Sequence, residues 1–334
     1  MRSVLFIAGL LMVLGGGAAA YAFWAYDEPG PLPASDVVLV PRGGLDQVAD
    51  TLAQAGVVRS AFALRAATMA TRGQGAVHAG ELEFPAAASL RQVLAILRTA
   101  RPVQHRLTIP EGLTATQVAL LIDRAPALEG DPAVPEEGRL LPETYAYERG
   151  TPRATLVERG RAAMDRVLER NWAARNTGVP LDSPRDALIL ASIVERETAK
   201  PDERPRVAAV FLNRLRRRMR LQSDPTVVYG ASGGAGVLEH GLTRAELERP
   251  DPYNTYKING LPPGPISMPG LGSIRAVLQP ADTDDLFFVA DGSGGHVFAK
   301  TLEEHQRNVA HWRGVERARQ AMAPPPAERQ APSP

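Results

Sequence analysis

The amino-acid sequence predicts an α+β protein: an N-terminal transmembrane helix, then a small α+β subdomain, then a larger mixed α+β domain. Three observations carry that expectation. Residues 4–26 contain no charge, short extended runs ending in Pro or Gly precede amphipathic helices in residues 36–125, and longer apolar-periodic segments alternate with polar, aromatic loops in residues 139–316. A length of 334 residues allows two domains of about 150 residues with tails. Hydrophobic residues at 44% and charged residues at 22% exclude wholesale disorder. The 38 basic against 37 acidic residues give a net charge of +1, which excludes a general attraction to nucleic acid. Without cysteine there is no disulfide framework, thiolate nucleophile or cysteine metal site.

The apolar stretch 4–26 is long enough to span a bilayer, which takes about 20 residues. Arg2 and the amino terminus precede it while Asp27 and Glu28 follow, so the positive-inside rule leaves residues 1–3 in the cytoplasm. Trp24 and Tyr26 fall where an interfacial aromatic belt sits. Small-residue runs at Ala18-Ala19-Ala20 and Ala20-Tyr21-Ala22 also resemble signal-peptidase sites, but the apolar run exceeds the usual ~7 to 15 residues, which favours a retained anchor. Either reading exports everything after Asp27.

Residues 27–35 form a Pro/Gly-rich linker. Three similar segments follow: Val40-Pro41 through Leu52, Phe84-Pro85 through Leu97, and Ile109-Pro110 through Ile122. Each reads as strand, turn and helix, and a unit of that size cannot bury its own apolar face, so the three are expected to pack as one subdomain over 36–125. Pro, Gly and acidic residues from Glu129 to Gly138 mark a boundary. An Arg-rich helix is expected over 151–175 and a core helix from Ser183. The Pro-rich tail 323–334 lacks apolar periodicity and is expected to be disordered.

The core helix holds the sharpest chemical signal. Ser183 suits its N-cap, Pro184 its first turn and Asp186 the reciprocal capping position. From Ala187 to Val194 only Ser192 is polar, so the helix is buried, yet its last turn carries Glu195 and Glu197. Glu197 continues the stripe of Leu190 and Ile193, and Glu195 that of Leu188 and Ala191, so the two point apart. A carboxyl group on a buried stripe stays protonated near neutral pH, as a general acid for glycoside cleavage requires. A structural ion pair with Arg196, Arg204, Arg206 or Arg214 is the competing reading, and helical geometry does not choose between the two glutamates.

The cluster from Arg214 to Arg220 reads as a solvated helix face. Beyond Leu221, the polar run to Tyr229 reads as a loop of the kind that lines a sugar cleft, as do Pro252 to Tyr256 and Gly260 to Ser267. The six histidines lack metal-ligand spacing, and no GxSxG, SxxK, HExxH or P-loop pattern is present.

Taken together, the residues resemble the YceG-like (MltG) family of endolytic murein transglycosylases. The resemblance rests on Ala191-Ser-Ile-Val-Glu-Arg-Glu-Thr198, Val210-Phe-Leu-Asn-Arg-Leu215, Met219-Arg-Leu-Gln-Ser-Asp-Pro-Thr-Val-Val-Tyr-Gly230, Tyr253-Asn-Thr-Tyr256, Gly260-Leu-Pro-Pro-Gly-Pro-Ile266 and Phe288-Val-Ala-Asp through Gly295-His296. Leu140-Leu-Pro-Glu-Thr-Tyr145 and Ile109-Pro-Glu-Gly112 extend it over residues 36–316. Family sequences often carry Phe and Asp where this chain has Leu141 and Glu143, and Tyr-Arg-Phe where it has Leu82-Glu83-Phe84.

The resemblance implies a single-pass inner-membrane protein with a periplasmic catalytic domain behind a LysM-like subdomain. It implies cleavage of the β-1,4 bond between N-acetylmuramic acid and N-acetylglucosamine inside peptidoglycan strands, leaving 1,6-anhydro ends and terminating nascent strands. The catalytic acid falls on Glu197, with Glu195 and Arg214 in support. Gln222, Ser223, Asp224, Tyr229, Asn254 and Tyr256 are the polar groups expected around the saccharide. No metal or organic cofactor is implied; the partners implied are glycan strands, the membrane and cell-wall synthesis enzymes, not nucleic acid. Two rivals remain: a hydrolase of the same bond, using Asp224 or Glu195 to activate water, and a tethered peptidoglycan-binding scaffold in which Glu197 is structural.

Overall fold

The structure, a computed structural model, describes residues 23–322 and, ahead of them, Met12, Gly16, Gly17, Ala20 and Tyr21. Most of the expected span 4–26 and the whole tail 323–334 lie outside the described residues. Among the described residues no helix is long and apolar enough to cross a membrane.

The chain divides into two units. The first comprises Met1–Arg106, Pro126–Glu129 and Ala146–Thr151. It contains β1 (Asp36–Val40), α1 (Leu45–Gln54), α2 (Ala61–Ala70), β2 (Gly80–Phe84) and α3 (Leu90–Thr99). The strands pair antiparallel with Val38 opposite Leu82, and period-two alternation turns Val38, Val40, Leu82 and Phe84 inward. Onto that face α1 packs Val48, Ala49 and Leu52, and α3 packs Val93, Leu94 and Leu97. Ser89 and Gln92 close a reciprocal capping box at the start of α3. These are the first two of the three expected strand-turn-helix copies.

The third copy, β3 (His105–Thr108) and α4 (Ala115–Arg124), forms locally as expected, with a Thr114–Gln117 capping box. Its place differs from the grouping expected over 36–125, since Leu107–Ala125 belongs to the second unit. Sequence similarity among the copies reports the local turn, whereas packing follows the partners each apolar face meets.

The second unit comprises Leu107–Ala125, Gly130–Tyr145 and Pro152–Pro334. Outside the helices, the short strands β4 (Leu128–Glu129), which belongs to the first unit, β5 (Thr144–Tyr147) and β6 (Thr151–Pro152) pair as β3 with β5 and β4 with β6. The helices are α5 (Arg153–Ala173), α6 (Pro184–Glu197), α7 (Arg204–Arg216), α8 (Asp224–Ala231), α9 (Arg244–Glu248), α10 (Leu271–Leu278) and α11 (Leu302–Met322), with the hairpin β7 (Phe287–Ala290) and β8 (His296–Ala299) ahead of α11. All eight residues from Ala187 to Val194 are buried, so α6 is the axis of this core, with Val207, Phe211, Ile274 and Val277 among its neighbours. Ser183 caps α6 as expected, while Asp186 reaches the Asp182 N–H at 3.2 Å and not that of Ser183. The single polar residue of the buried run has a defined task. The Ser192 hydroxyl donates to the Ile189 carbonyl at 2.7 Å and accepts the Ile266 N–H at 3.0 Å, fastening the loop 260–267 to α6. The run after Leu221, expected as a loop, is the helix α8, in which Pro225 sits in the first turn and Thr226 and Val227 are buried.

Candidate active site

Glu197 ends α6, where the backbone turns extended at Thr198. One Glu197 carboxylate oxygen accepts the Ser223 hydroxyl at 2.5 Å. Ser223 is itself buried, its N–H donating to Thr255 Oγ1 at 2.9 Å. Thr226 Oγ1 donates to the Ser223 carbonyl at 2.7 Å and lies 2.9 Å from Thr255 Oγ1, so three buried hydroxyl residues hold one another in place. Burial raises the Glu197 pKa to about 7; the Asp224 charge adds to the rise, and the Ser223 hydrogen bond and the Arg214 charge oppose it.

Arg214 corrects the expectation of a solvated arginine face. It follows Val207, Val210 and Phe211 at seven, four and three residues, which places it on their buried stripe, and it is 8% exposed. Its guanidinium donates to the Leu286 and Leu221 carbonyls, both at 2.7 Å, to that of Arg220 at 3.3 Å, and to Gln222 Oε1 at 3.4 Å. Gln222 adopts a left-handed φ of 53°, which a residue with a side chain adopts only when its surroundings hold it. Its N–H donates to the Thr255 carbonyl at 3.2 Å. Arg216, Arg217, Arg218 and Arg220 are exposed, as expected for the rest of the cluster.

Glu195 faces elsewhere, as the two-residue offset requires. Its side chain is 4% exposed, and its oxygens accept Arg204 Nη2 and the Gly270 N–H, both at 2.8 Å. Arg204 also reaches Glu111 at 3.1 Å, in the turn ahead of α4. Burial holds the Glu195 pKa above the usual carboxylate range against these bonds. Arg196, between the two glutamates, donates to the Gly112 and Gly236 carbonyls at 3.2 and 3.1 Å. The side chains of Glu195 and Arg196 therefore both tie the last turn of α6 to neighbouring segments.

Of the expected saccharide groups, Asp224 and Tyr256 stand together, the Tyr256 hydroxyl donating to Asp224 Oδ1 at 2.6 Å; the Asp224 charge raises the Glu197 pKa, and burial, Asp224 and Glu197 raise that of Tyr256. Tyr229 lies towards the far end of α8, its ring 4.8 Å from that of Tyr253 and its hydroxyl donating to Glu137 at 3.1 Å. Among the described residues no three His, Asp or Glu side chains gather as a metal site would need.

The sequence profile of the YceG-like family matches residues 38–311, most of the chain. The chain belongs to the YceG-like family. An endolytic murein transglycosylase of Streptococcus pneumoniae is 28% identical over 362 aligned residues, covering 91% of this chain and 64% of that relative. One of Bacillus subtilis is 45% identical over 174 residues, covering 52% of this chain and 47% of the relative. The chain thus spans less than two thirds of the length of these curated relatives. The crystal structure of a yceG-like protein from Listeria monocytogenes superposes with a TM-score of 0.50 at 29% identity, covering 82% of this chain and 99% of that one.

Within this YceG-like chain the side chain of Asn254, expected at the saccharide, is bonded inside the fold. It is 1% exposed, its amide donating to the carbonyls of Glu246, Leu247 and Arg249 at 3.3, 3.1 and 2.7 Å and its oxygen accepting the Tyr256 N–H at 3.0 Å. With its donors and acceptor engaged, it shapes the loop that presents Tyr256. Sequence reasoning missed Thr255 and Thr226, which carry no recognisable spacing. It also missed Glu137, which lay in a stretch read as a boundary. The Glu137 carboxylate accepts the Ala115 N–H at 3.0 Å, at the start of α4, and burial raises its pKa. The Glu-Gly pair ahead of Leu140-Leu-Pro-Glu-Thr-Tyr145 was the available signal.

Proposed function

We propose that this YceG-like protein is an endolytic lytic transglycosylase that cuts the β-1,4 bond between N-acetylmuramic acid and N-acetylglucosamine within peptidoglycan strands. Family membership and the transglycosylase names of its relatives support the reaction class. The observation that carries the assignment of the acid is the Glu197 carboxyl, desolvated to a pKa of about 7 and held by the Ser223 hydroxyl.

In this mechanism Glu197 protonates the bridging oxygen as the bond to muramic C1 breaks, and positive charge develops at C1. The new carboxylate keeps the Ser223 hydrogen bond and the nearby Arg214 charge, both of which favour the ionised form. The C6 hydroxyl of the same sugar then attacks C1, and its proton passes to Glu197. The acid is restored, a 1,6-anhydro ring closes and no water is consumed. An intramolecular nucleophile is worth about 7 to 11 kcal/mol in the best cases, so a second carboxylate to activate water is not needed. The bonds of Glu195 to Arg204 and Gly270 on another face of α6 support this reading over water activation by Glu195.

In the same reading, residues 4–26 anchor the protein in the inner membrane with the amino terminus cytoplasmic. The first unit is a LysM-like module that meets the glycan, and the site works in the periplasm beside the cell-wall synthesis enzymes.

The test is mass analysis of glycans released from purified peptidoglycan by the full chain and by Glu197→Gln. Internal fragments with anhydro ends, lost in the variant, are expected. Reducing ends would replace the transglycosylase with a hydrolase. No cleavage by a folded, glycan-binding protein would leave a scaffold.

A further inference from the structure

The first unit carries an apolar surface that its own core leaves unused. α2 buries only Leu64. Phe62, Ala63, Ala66, Met69 and Ala70, one stripe at helical spacing, are all exposed, Phe62 at 73% and Met69 at 59%. A helix lying on a protein in water shows the opposite pattern, its outer face polar.

The same stripe adjoins the end of the apolar N-terminal stretch. Residues 23–27 are helical, and Tyr21, Phe23 and Tyr26 line a groove of about 640 Å³ with Phe62, Ala63, Ala66 and Ala70. Tyr21, Phe23 and Trp24 are also more than half exposed, so among the described residues Tyr21, Phe23 and Phe62 meet at one groove, with Trp24 and Met69 exposed on the same two helices. Asp27 pairs with Arg91 and Glu28 with Arg59, which ties the end of that stretch to the unit. Beyond α2, the buried Arg98 guanidinium holds the Thr71 and Gly75 carbonyls at 3.2 and 3.1 Å, which fixes the direction the stripe faces. No Asp or Glu occurs between Asp50 and Glu81, while Arg59, Arg65 and Arg72 do.

We infer that α2 rests on the membrane from which the chain emerges, its apolar stripe at the boundary of headgroups and acyl chains. The inference depends on reading residues 4–26 as a bilayer span. Given that span, its last residues line one groove with α2, and the Asp27–Arg91 and Glu28–Arg59 ion pairs set the end of the span beside the unit. An interfacial helix combines an aromatic and apolar face with basic residues and few acids, and α2 with its flanks has that composition.

The absence of native cysteine makes the test direct. Phe62→Cys, Ala66→Cys and Met69→Cys, each in the full chain, are labelled with an environment-sensitive fluorophore and reconstituted into phosphatidylethanolamine/phosphatidylglycerol vesicles. Leu39→Cys, on the outward face of β1, is the control because Leu39 is equally apolar and 52% exposed. Spin-labelled lipids are expected to quench the three α2 labels ~3-fold or more beyond the control, with matching protection from aqueous iodide. Equal iodide access at all four positions, in protein that resists alkaline extraction, would overturn this inference alone. Extraction of the protein from the vesicles would overturn both the span and the inference. Protection lost on dilution with unlabelled chain would assign the stripe to a second copy and also overturn it.

Discussion

The Ser223 hydroxyl meets the Glu197 carboxylate at 2.5 Å across 26 positions of sequence. The contact joins the end of the most buried helix to the residue just ahead of α8, and it restrains the proton affinity of Glu197. Burial raises the Glu197 pKa, while a donor that follows the ionised form restrains the rise. Ser223→Ala should therefore push the pKa further up. The falling alkaline limb of the rate profile should move to higher pH, and the rate should drop about tenfold, the worth of one hydrogen bond to a charged group. A pH–rate series on purified peptidoglycan reads both. An alkaline limb that stays in place or moves to lower pH would contradict the donor role.

Glu197 also makes a stability prediction. Its folded pKa of about 7 lies above the ordinary 4.5, so the fold binds this proton more tightly than the unfolded chain does. The resulting contribution is complete below about pH 4.5, is lost as pH rises, and is gone above about pH 7. At about 1.4 kcal/mol per unit, ionisation costs the fold up to about 3 kcal/mol. Glu197→Gln should leave stability unchanged at pH 4 and raise it by about 1 to 3 kcal/mol at pH 8, while cleavage falls by about 10²-fold to 10⁴-fold. Urea unfolding at the two pH values checks the sign. Equal stability of variant and parent at pH 8 would mean that the carboxyl is not desolvated.

Asn254 separates a loop-shaping role from a saccharide-binding one. Its amide serves three carbonyls at the C-terminal end of α9, those of Glu246, Leu247 and Arg249. Asn254→Ala should destabilise the protein by about 1 to 3 kcal/mol, because three carbonyls at the end of α9 lose a buried donor. At a temperature where the variant is fully folded, KM should change little. A raised KM with unchanged thermal stability would return Asn254 to the saccharide.

The two glutamates show how far the sequence reached. Helical spacing was enough to send Glu195 and Glu197 to different sides of α6, and the structure bonds them to Arg204 and Ser223 respectively. Spacing does not choose between them as a general acid, because both stripes are buried; Glu197 is what the resemblance implies. The two strand-turn-helix copies around β1 and β2 were legible because Pro turns and apolar spacing are local signals. The placement of residues 107–125 was not legible, since it depends on contacts such as the bond from the Gly112 N–H to the Met268 carbonyl, far apart in sequence. Arg214 was misplaced because a run of arginines reads as solvent-facing until each position is set on the stripe of Val207 and Phe211. Thr255 and Thr226 remained invisible because a hydroxyl that bonds only within the fold leaves no periodic trace.

Arg214 combines two functions that substitution can separate. Its guanidinium satisfies the carbonyls of Leu221 and Leu286 at 2.7 Å each, and its charge lowers the Glu197 pKa. Arg214→Met removes both, leaving buried carbonyls without donors. It should destabilise the protein by about 2 to 5 kcal/mol and raise the pH at which activity falls. Arg214→Lys keeps a positive charge but cannot span the two carbonyls, because an ammonium lacks the planar fork. The lysine variant should therefore return the alkaline limb towards that of the parent while remaining destabilised. Paired denaturation and pH–rate measurements on the two variants decide the matter. If lysine restored stability without moving the limb, the charge would have no influence on the acid and Arg214 would be a packing residue alone.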